Sequence, residues 1–335
     1  MKVVAAPDSL KGVLSAHEAA DALAAGIEEA GAEADRLPLA DGGEGTAAAL
    51  HAALGGKWRT AEVTDPLGRY VEAQWLLLPD GRAVVESAEA VGLWRLRDDE
   101  RDPLRATSRG LGELILAAAA GGASELVVAL GGSATVDGGA GLLEVVGELP
   151  APTVAAYDVR NPLLGERGAA RVFGPQKGAT PEAVEELERR LAAMDELAPF
   201  RGLAGAGAAG GLGAALASLG AELVSGVDLV LDAVAFRERI AGARLVITGE
   251  GAVDSSSAEG KVPAGVAAAA RAAGVPCAVF GGRVEPGAGE ALRALGANAV
   301  FALSGDRGRA RDDLVELGRS LAGLAAAVSG PSAII

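Results

Sequence analysis

The segment that decides the fold is ARLVITGEGAVDSSSAEGKVPAGVAAAARAAGVPCAVFGG, residues 243–282. It begins with a short apolar run, ARLVIT (243–248), which predicts a buried strand. An alanine-rich helical pattern follows in KVPAGVAAAARAAG (261–274), and a second apolar run, PCAVFG (276–281), predicts the next strand. Short apolar strands that alternate with helices indicate a parallel sheet covered by helices.

The N-terminal region shows the same alternation. Residues 2–6 (KVVAA) predict a short buried strand. Residues 15–30 then predict a helix, with Ser15 as the N-cap, Glu18 completing a capping box and Gly31 ending the helix. A strand followed by a helix at this end matches the pattern of residues 243–282, so both ends of the chain are expected to share one parallel sheet.

The middle of the chain has a different pattern. Residues 60–88 alternate apolar and polar side chains around two Pro/Gly turns, which predicts antiparallel strands. Other predicted elements are a helix at 108–120, strands at 125–130 and 153–159, a helix at 181–197, a helix at 286–296 and a strand at 299–303.

The predicted fold class is therefore α/β with two domains. One is a Rossmann- or flavodoxin-like parallel sheet, and the other is a mixed α/β domain inserted in it. The expected domain ranges are 1–60 plus 240–335 for the first and 61–239 for the second.

Composition excludes several function classes. The 335-residue chain has one cysteine, Cys277, and two histidines, which excludes an intrachain disulfide and a thiolate cluster and disfavours a histidine-rich metal site. Its net charge of −15 argues against nucleic acid or an anionic membrane as a partner. With no signal peptide and no apolar run of about 20 residues, the expected location is the cytoplasm.

Four polar, glycine-rich segments carry the candidate chemistry, and most of them follow predicted strands. They are PDSLKG (7–12), ADGGEGT (40–46), GGSATVDGG (131–139) and GEGAVD (249–254). In an open α/β sheet, ligands bind at the carboxyl ends of the strands. Glycine backbones can approach phosphate oxygens closely, and carboxylates beside them suit Mg²⁺. These segments together favour a site for a phosphate and its metal ion.

Two alternative functions stay open from the residues alone. GAGAAG (205–210) matches a dinucleotide fingerprint and would suit an NAD(P)-dependent oxidoreductase of a small hydroxy acid, but no buried strand precedes it. A non-enzymatic small-acid binding protein would also fit two α/β domains, although it leaves the lysines and carboxylates of the loops unexplained.

The motifs resemble those of the bacterial glycerate kinase family, in the family's order from residue 5 to about residue 268. The matching segments are PDSLKGVLSAHEAA, PLADGGEGT, ATSRGLGELI, LGGSATVDGG, DVRNPLLGERGAARVFGPQKGA, GAGAAGGLGAAL and ITGEGAVDSSSAEGKVPAGVA. The resemblance implies a D-glycerate 2-kinase type of enzyme, which uses ATP and Mg²⁺ to phosphorylate a glycerate hydroxyl. Homo-oligomerisation stays open.

The chemistry of the side chains gives the matched positions predicted roles. The predicted catalytic residues are Asp8, Lys11, Asp158 and Asp254, of which any of the three aspartates could orient or deprotonate the attacking hydroxyl. The predicted nucleotide- and phosphate-binding residues are Ser9, Gly42, Gly43, Gly45, Gly132, Ser133, Thr135 and Lys177. The predicted substrate-binding residues are Arg109, Asn161 and Lys261, and a carboxylate among Asp41, Asp137 and Glu250 is expected to hold Mg²⁺.

Overall fold

A computed structural model describes residues 1–258 and 260–327, and this part of the chain contains eleven strands and thirteen α-helices. The strands are β1 (Lys2–Ala5), β2 (Glu33–Arg36), β3 (Lys57–Thr64), β4 (Tyr70–Leu77), β5 (Arg82–Glu86), β6 (Glu125–Leu130), β7 (Thr153–Tyr157), β8 (Glu222–Ser225), β9 (Leu245–Val253), β10 (Cys277–Val284) and β11 (Ala299–Ala302).

The helices alternate with these strands along much of the chain. They are α1 (Ala16–Glu29), α2 (Thr46–Leu54), α3 (Ser87–Val91), α4 (Arg109–Ala120), α5 (Ala140–Val145), α6 (Ala169–Phe173), α7 (Pro181–Ala192), α8 (Leu212–Ser218), α9 (Gly226–Ala233), α10 (Phe236–Ile240), α11 (Val262–Ala272), α12 (Ala288–Leu295) and α13 (Ala310–Ala327). No helix in this part of the chain is long and apolar enough to cross a membrane.

The residues pack into two compact units. The first unit contains Met1–Asp41, Ala48–Ala53 and the described residues from Val230 onward, and the second unit contains Gly42–Ala47 and Leu54–Leu229. Each unit holds one sheet, the first parallel and the second mixed, which confirms the predicted fold class. The predicted domain ranges, 1–60 plus 240–335 and 61–239, stay predictions.

The sheet of the first unit has the strand order β11-β10-β9-β1-β2, and all of its neighbouring strands are parallel. Counted along the chain within this sheet, the order is 2-1-3-4-5, which is the flavodoxin-like arrangement. The connections reverse direction between β1 and β9. Ligands of such sheets bind at the carboxyl ends of the strands beside this reversal.

Local sequence explains how the first unit begins. Ser15 accepts a hydrogen bond from the Glu18 N–H, and the Glu18 side chain accepts one from the Ser15 N–H, which confirms the predicted capping box of α1. The apolar face of α1 packs on the sheet through Leu23 and Ile27, next to Ile247 of β9. Because the cap fixes where α1 starts, it also limits the loop that joins β1 to the helix.

Small residues let α1 and α13 approach closely. A Cβ atom added to Gly26 would overlap the carbonyl oxygen of Val315, and one added to Gly318 would overlap that of Leu23. Aromatic residues make up only 3% of the sequence, so the core depends on such close backbone packing.

The sheet of the second unit has the order β3-β4-β5-β6-β7-β8. Its first three strands pair antiparallel, as the alternating pattern of residues 60–88 predicts, and β5 to β8 pair in parallel. Val85, Leu114, Val128 and Leu142 belong to one buried apolar cluster that includes residues of the sheet, α4 and α5. The strand ends that this core fixes carry the glycine-rich loops described below.

Two elements differ from the sequence prediction. The helix predicted at 181–197 ends at Ala192, because Met194 adopts an extended backbone with ψ 92° and a 3-10 helix follows at Asp195–Phe200. GEGAVD, predicted as a loop, mostly continues strand β9 as far as Val253. That extension is possible because β10 is also longer and pairs Gly281 with Glu250.

Candidate active site

A cavity of about 710 Å³ lies in the first unit, at the carboxyl ends of β1, β9, β10 and β11. The segments PDSLKG (7–12) and GEGAVD (249–254) meet in the wall of this cavity. The wall includes Asp8, Ser9, Lys11, Glu250, Asp254 and Lys261. The structure thus brings together six predicted site residues that are separated in sequence by up to 253 positions. Its size suits a ligand of drug or nucleotide dimensions, since pockets for such ligands span about 300–1,000 Å³.

Asp8 is the most perturbed carboxylate in this wall. It follows β1 and is only 5% exposed. Burial, and then the negative charges of Asp41 and Glu250, raise the pKa of its carboxyl to about 8. The Ser9 N–H donates to Asp8 Oδ1 at 2.6 Å, and that bond and the Lys11 charge act in the opposite direction without cancelling the rise.

Glu250 is the second buried carboxylate, with 7% exposure. Burial raises the pKa of its carboxyl, and the Lys261 ammonium, whose Nζ lies 3.8 Å from Glu250 Oε2, opposes the rise. The other carboxylate oxygen, Oε1, is buried and has no hydrogen-bond partner among the described residues. An ionised, buried oxygen without a partner is unfavourable unless a cation binds to it.

These carboxylates fit a hard cation. The negative charges of Asp41 and Glu250 raise the pKa of Asp8, the charge of Asp41 also raises the pKa of Glu250, and Glu250 Oε1 has no hydrogen-bond partner among the described residues. No group of three or more His, Cys, Asp or Glu side chains arranged to hold a metal was found within residues 1–258 and 260–327. Mg²⁺ typically takes one or two protein carboxylates and completes its shell with water and substrate phosphate, so this donor set suits it.

The second unit contains two glycine-rich loops, residues 42–45 and 131–139. Gly42 has φ 92° and Gly132 has φ 65°, values that other residues adopt only with strain. The two loops touch, since a Cβ atom added to Gly131 would lie 2.7 Å from the Cα of Gly43. Glycine at these positions therefore permits both the turn and the close approach of one loop to the other.

Lys177 lies beneath the second loop. It is 3% exposed, and its ammonium donates to Ser133 Oγ at 3.0 Å and to the carbonyl oxygen of Thr135 at 2.8 Å. Burial lowers the pKa of Lys177 to about 7, although the carboxylates of Asp137 and Asp158 act in the opposite direction. The structure thus places three predicted phosphate-binding residues, Ser133, Thr135 and Lys177, in one group.

Asp137 is engaged by the protein backbone. Its Oδ2 accepts hydrogen bonds from the N–H and the hydroxyl of Ser108, both at 2.8 Å, and from the N–H of Gly141 at 3.2 Å. Its Oδ1 accepts one from the N–H of Gly139 at 3.1 Å. This carboxylate ties the end of loop 131–139 to the start of α4, and its predicted role as a metal ligand stays a prediction.

The predicted substrate-binding residues have different surroundings. Arg109 pairs with Glu113 at 3.0 Å and lies 3.7 Å from Glu144. Asn161 donates to the carbonyl oxygen of Arg167 at 2.7 Å. Lys261 lines the cavity of the first unit. Of these three predicted substrate-binding residues, Lys261 is the one that faces that cavity.

Sequence reasoning missed Glu86 and Ser87. Glu86 is 7% exposed and accepts hydrogen bonds from the N–H groups of Gly45 and Ala47, while Ser87 is fully buried against Gly131. Burial raises the pKa of Glu86 to about 7, against the effect of its two hydrogen bonds. The signal available in the sequence was a polar pair at the end of the stretch 60–88, which was predicted to form antiparallel strands.

The dinucleotide fingerprint lacks its structural context. GAGAAG follows the 3-10 helix Asp195–Phe200 instead of a strand, and Gly207 and Gly210 pack against the carbonyl oxygens of Pro162 and Thr135. These glycines serve close backbone packing, and the oxidoreductase alternative loses the observation on which it depended.

Comparisons with known proteins bear on the family of the chain and on its fold. The model of the glycerate kinase family matches residues 3–149 and 150–330. Glycerate 2-kinase of Escherichia coli K12 and glycerate kinase of Bacillus subtilis 168 are each 41% identical to this chain over 90% of both sequences. A crystal structure described as a glycerate kinase 2 from Salmonella typhimurium LT2 is 37% identical, with a TM-score of 0.82 over 99% of this chain and 100% of that one. This chain belongs to the glycerate kinase family.

Proposed function

We propose that the protein transfers the γ-phosphoryl group of ATP to a hydroxyl of D-glycerate, with Mg²⁺ as the cofactor. The observation that carries the proposal is the cavity of the first unit, where buried carboxylates and the lysines Lys11 and Lys261 line one wall. Phosphoryl transfer depends on positioning and on neutralising charge, and such a wall supplies groups for both. Membership of a kinase family supports the same reaction class.

Asp8 is the best-supported general base of the three candidates. A base works best when its pKa lies near the operating pH, and Asp8 has a pKa of about 8. In the proposed step the glycerate hydroxyl oxygen bonds to the γ-phosphorus, its proton passes to the Asp8 carboxylate, and the bond to the ADP oxygen breaks. Asp158 and Asp254 stay candidates for orienting the hydroxyl.

The two lysines of the cavity take different proposed roles. Lys11 lies in the loop after β1 and, as a flexible cation, would neutralise oxygens of the transferred phosphoryl group. Lys261 would bind the glycerate carboxylate, because it lines the cavity and its ion pair with Glu250 is long, at 3.8 Å. Arg109 is less well suited, since two glutamates already accompany its guanidinium.

Glu250 and Asp41 would hold Mg²⁺. Glu250 offers a buried oxygen that has no hydrogen-bond partner among the described residues. Asp41 is buried too, and its negative charge, like that of Glu250, raises the pKa of Asp8. Asp137 is a weaker candidate because four hydrogen bonds already engage its oxygens. When bound, the ion would neutralise the charge of the nucleotide phosphates.

The glycine-rich loops of the second unit would hold nucleotide phosphates through their backbone N–H groups. The N–H of Gly45 already donates to Glu86 at 3.2 Å, so other donors of loop 42–45 would have to contact the phosphate. Two polar side chains of the second loop could add to this binding: the Ser133 hydroxyl, and Thr135 Oγ1, which is buried and has no hydrogen-bond partner within residues 1–258 and 260–327.

The 2-hydroxyl is the proposed acceptor. The support is the relative from Escherichia coli, which is described as a glycerate 2-kinase and is 41% identical to this chain over 90% of its length. The product would then be 2-phosphoglycerate, with ADP as the second product.

The Mg²⁺ dependence of ADP release tests the proposal and the Glu250 assignment together. Glu250→Gln should raise the Mg²⁺ concentration needed for half-maximal turnover at least about tenfold, the scale reached when even a supporting residue of a metal site is lost. Glu28→Gln, which loses only an ion pair with Arg36 on the surface of the same unit, should behave like the wild type. Full wild-type turnover in excess chelator contradicts the Mg²⁺ requirement, and an unchanged Mg²⁺ dependence in Glu250→Gln contradicts the assignment.

A further inference from the structure

Two consecutive buried side chains at the end of β5 connect to both glycine-rich loops of the second unit. The first is Glu86, which carries a carboxylate into the protein and is 7% exposed. Its Oε1 accepts a hydrogen bond from the Ala47 N–H at 2.7 Å, and its Oε2 accepts one from the Gly45 N–H at 3.2 Å. Glu86 therefore caps the start of α2 from a position about 40 residues later in the sequence.

The second side chain is Ser87, which is fully buried. Its hydroxyl donates to the carbonyl oxygen of Gly131 at 2.9 Å and accepts from the N–H of the same residue at 3.2 Å. The backbone N–H and the carbonyl oxygen of Gly131 are thus both bonded to the Ser87 hydroxyl. The position of Gly131 decides where the second loop leaves strand β6.

Glu86 and Ser87 stand at the start of α3, but their side chains bond to the glycine-rich loops. Glu86 is the N-cap residue of α3, yet its side chain makes no capping bond to that helix. Backbone bonds from the segment that follows hold the same loop again, since the Leu93 N–H donates to Gly132 O and the Ala134 N–H donates to Val91 O, both at 2.8 Å. Hydrogen bonds at both ends of the segment from Glu86 to Leu93 therefore connect it to the glycine-rich loops.

We propose that Glu86 and Ser87 are positioning residues that hold the two glycine-rich loops in a single arrangement for binding the phosphates of the nucleotide. The inference rests on the proposed function, because it assigns phosphate binding to these loops. Both side chains act through the backbone of the loops. The two loops also approach each other closely at Gly131 and Gly43, so a shift of one loop is expected to disturb the other.

The test compares Glu86→Gln and Ser87→Ala with a matched control. Glu86→Gln keeps the size of the side chain but turns one acceptor oxygen into an NH₂ group that faces a backbone N–H. Asp65→Asn is the control, because Asp65 is 1% exposed and likewise accepts two backbone N–H groups, from Leu67 and Arg69, in a turn of the same unit. Its hydrogen bonds do not involve the glycine-rich loops.

The expected result is a selective loss of nucleotide recognition. The kcat/KM for ATP should fall about 10²-fold in Glu86→Gln and in Ser87→Ala, the scale expected when a reacting group is misplaced by about 1 Å, and ADP binding measured by calorimetry should weaken in both variants. The KM for glycerate should stay near the wild-type value, and Asp65→Asn should keep wild-type kinetics. Unchanged ADP binding in both variants overturns the inference, and so does an equal loss of binding in Asp65→Asn.

Hydrogen–deuterium exchange gives a readout that does not depend on turnover. Either substitution should speed exchange in peptides that cover residues 42–47 and 131–134 together, because the two loops contact each other. Exchange that changes only in the loop bonded to the altered side chain contradicts a joint role. A wild-type protein that binds ADP but does not phosphorylate glycerate would refute the proposed function and leave this inference to be decided by the binding and exchange results.

Discussion

Replacing Lys177 by methionine should change how the stability of the protein depends on pH. Its ammonium is 3% exposed, and burial lowers the pKa of the amine from an ordinary 10.5 to about 7. The charged groups that act on it are the carboxylates of Asp137 and Asp158, and they do not offset the effect of burial. Between pH 7 and 10.5 the unfolded chain therefore holds a proton that the folded chain has lost.

The sign and the size follow from this difference in proton binding. Unfolding takes up a proton in that interval, so the contribution of Lys177 makes the free energy of unfolding rise with pH. Each pH unit is worth up to about 1.4 kcal/mol, and the rise from pH 7 to pH 9 amounts to about 2 kcal/mol, because the amine is still half protonated at pH 7. Methionine has no proton to exchange and should lack this rise.

Urea unfolding at pH 7, 8 and 9 measures the difference between the wild type and Lys177→Met. Between pH 7 and pH 9 the free energy of unfolding of the wild type should rise by about 2 kcal/mol relative to that of Lys177→Met. Lys57→Met, which removes an exposed lysine of the same unit, serves as the control and should show no such shift. Parallel pH curves for the wild type and Lys177→Met would refute the reasoning that the amine is desolvated in the folded protein.

Three further outcomes follow from particular contacts. Lys11→Ala should lower kcat by about 10³-fold or more, the lower end of what a cation at the transferred phosphoryl contributes, with an unchanged melting temperature; near-wild-type turnover would contradict its role. Gly318→Leu should lower the free energy of unfolding by about 3 kcal/mol or more in urea titrations, because its side chain would meet the backbone of α1 at Leu23, and a stability equal to the wild type would contradict this packing. Cys277 should resist a thiol reagent in the folded protein and react after unfolding, since burial raises the pKa of its thiol to about 12; rapid labelling of the native protein would contradict its burial.

Local signals in the sequence account for much of the fold. The capping box at Ser15 and Glu18 predicted where α1 begins, and the structure confirms it. This prediction was possible because the two residues lie within one helical turn. The alternation of apolar and polar side chains over residues 60–88 predicted antiparallel strands, and β3 to β5 pair in that way. These features depend on neighbours a few residues apart, which a single sequence displays directly.

Contacts between distant residues were harder to predict. β9 continues through GEGAV because β10 is long enough to pair with it. The residues around Glu250 give no local signal that β10 will be its neighbour. The predicted phosphate contact of Lys177 stays a prediction, and no local signal showed that this lysine is buried and donates to Ser133 Oγ and the carbonyl oxygen of Thr135, more than 40 positions earlier. Glu86 bonds to residues about 40 positions earlier, so only the folded chain reveals what it does.

Phosphorus NMR of a reaction with ATP, Mg²⁺ and D-glycerate tests the central claim most directly. The proposal predicts ADP release that requires glycerate, together with a new phosphomonoester signal. Coupling of that phosphorus to a single proton would identify the 2-hydroxyl as the acceptor, because that carbon carries one hydrogen. Coupling to two protons would move the acceptor to the 3-hydroxyl. An absence of any glycerate-dependent phosphomonoester would contradict the claim that this chain is a glycerate kinase.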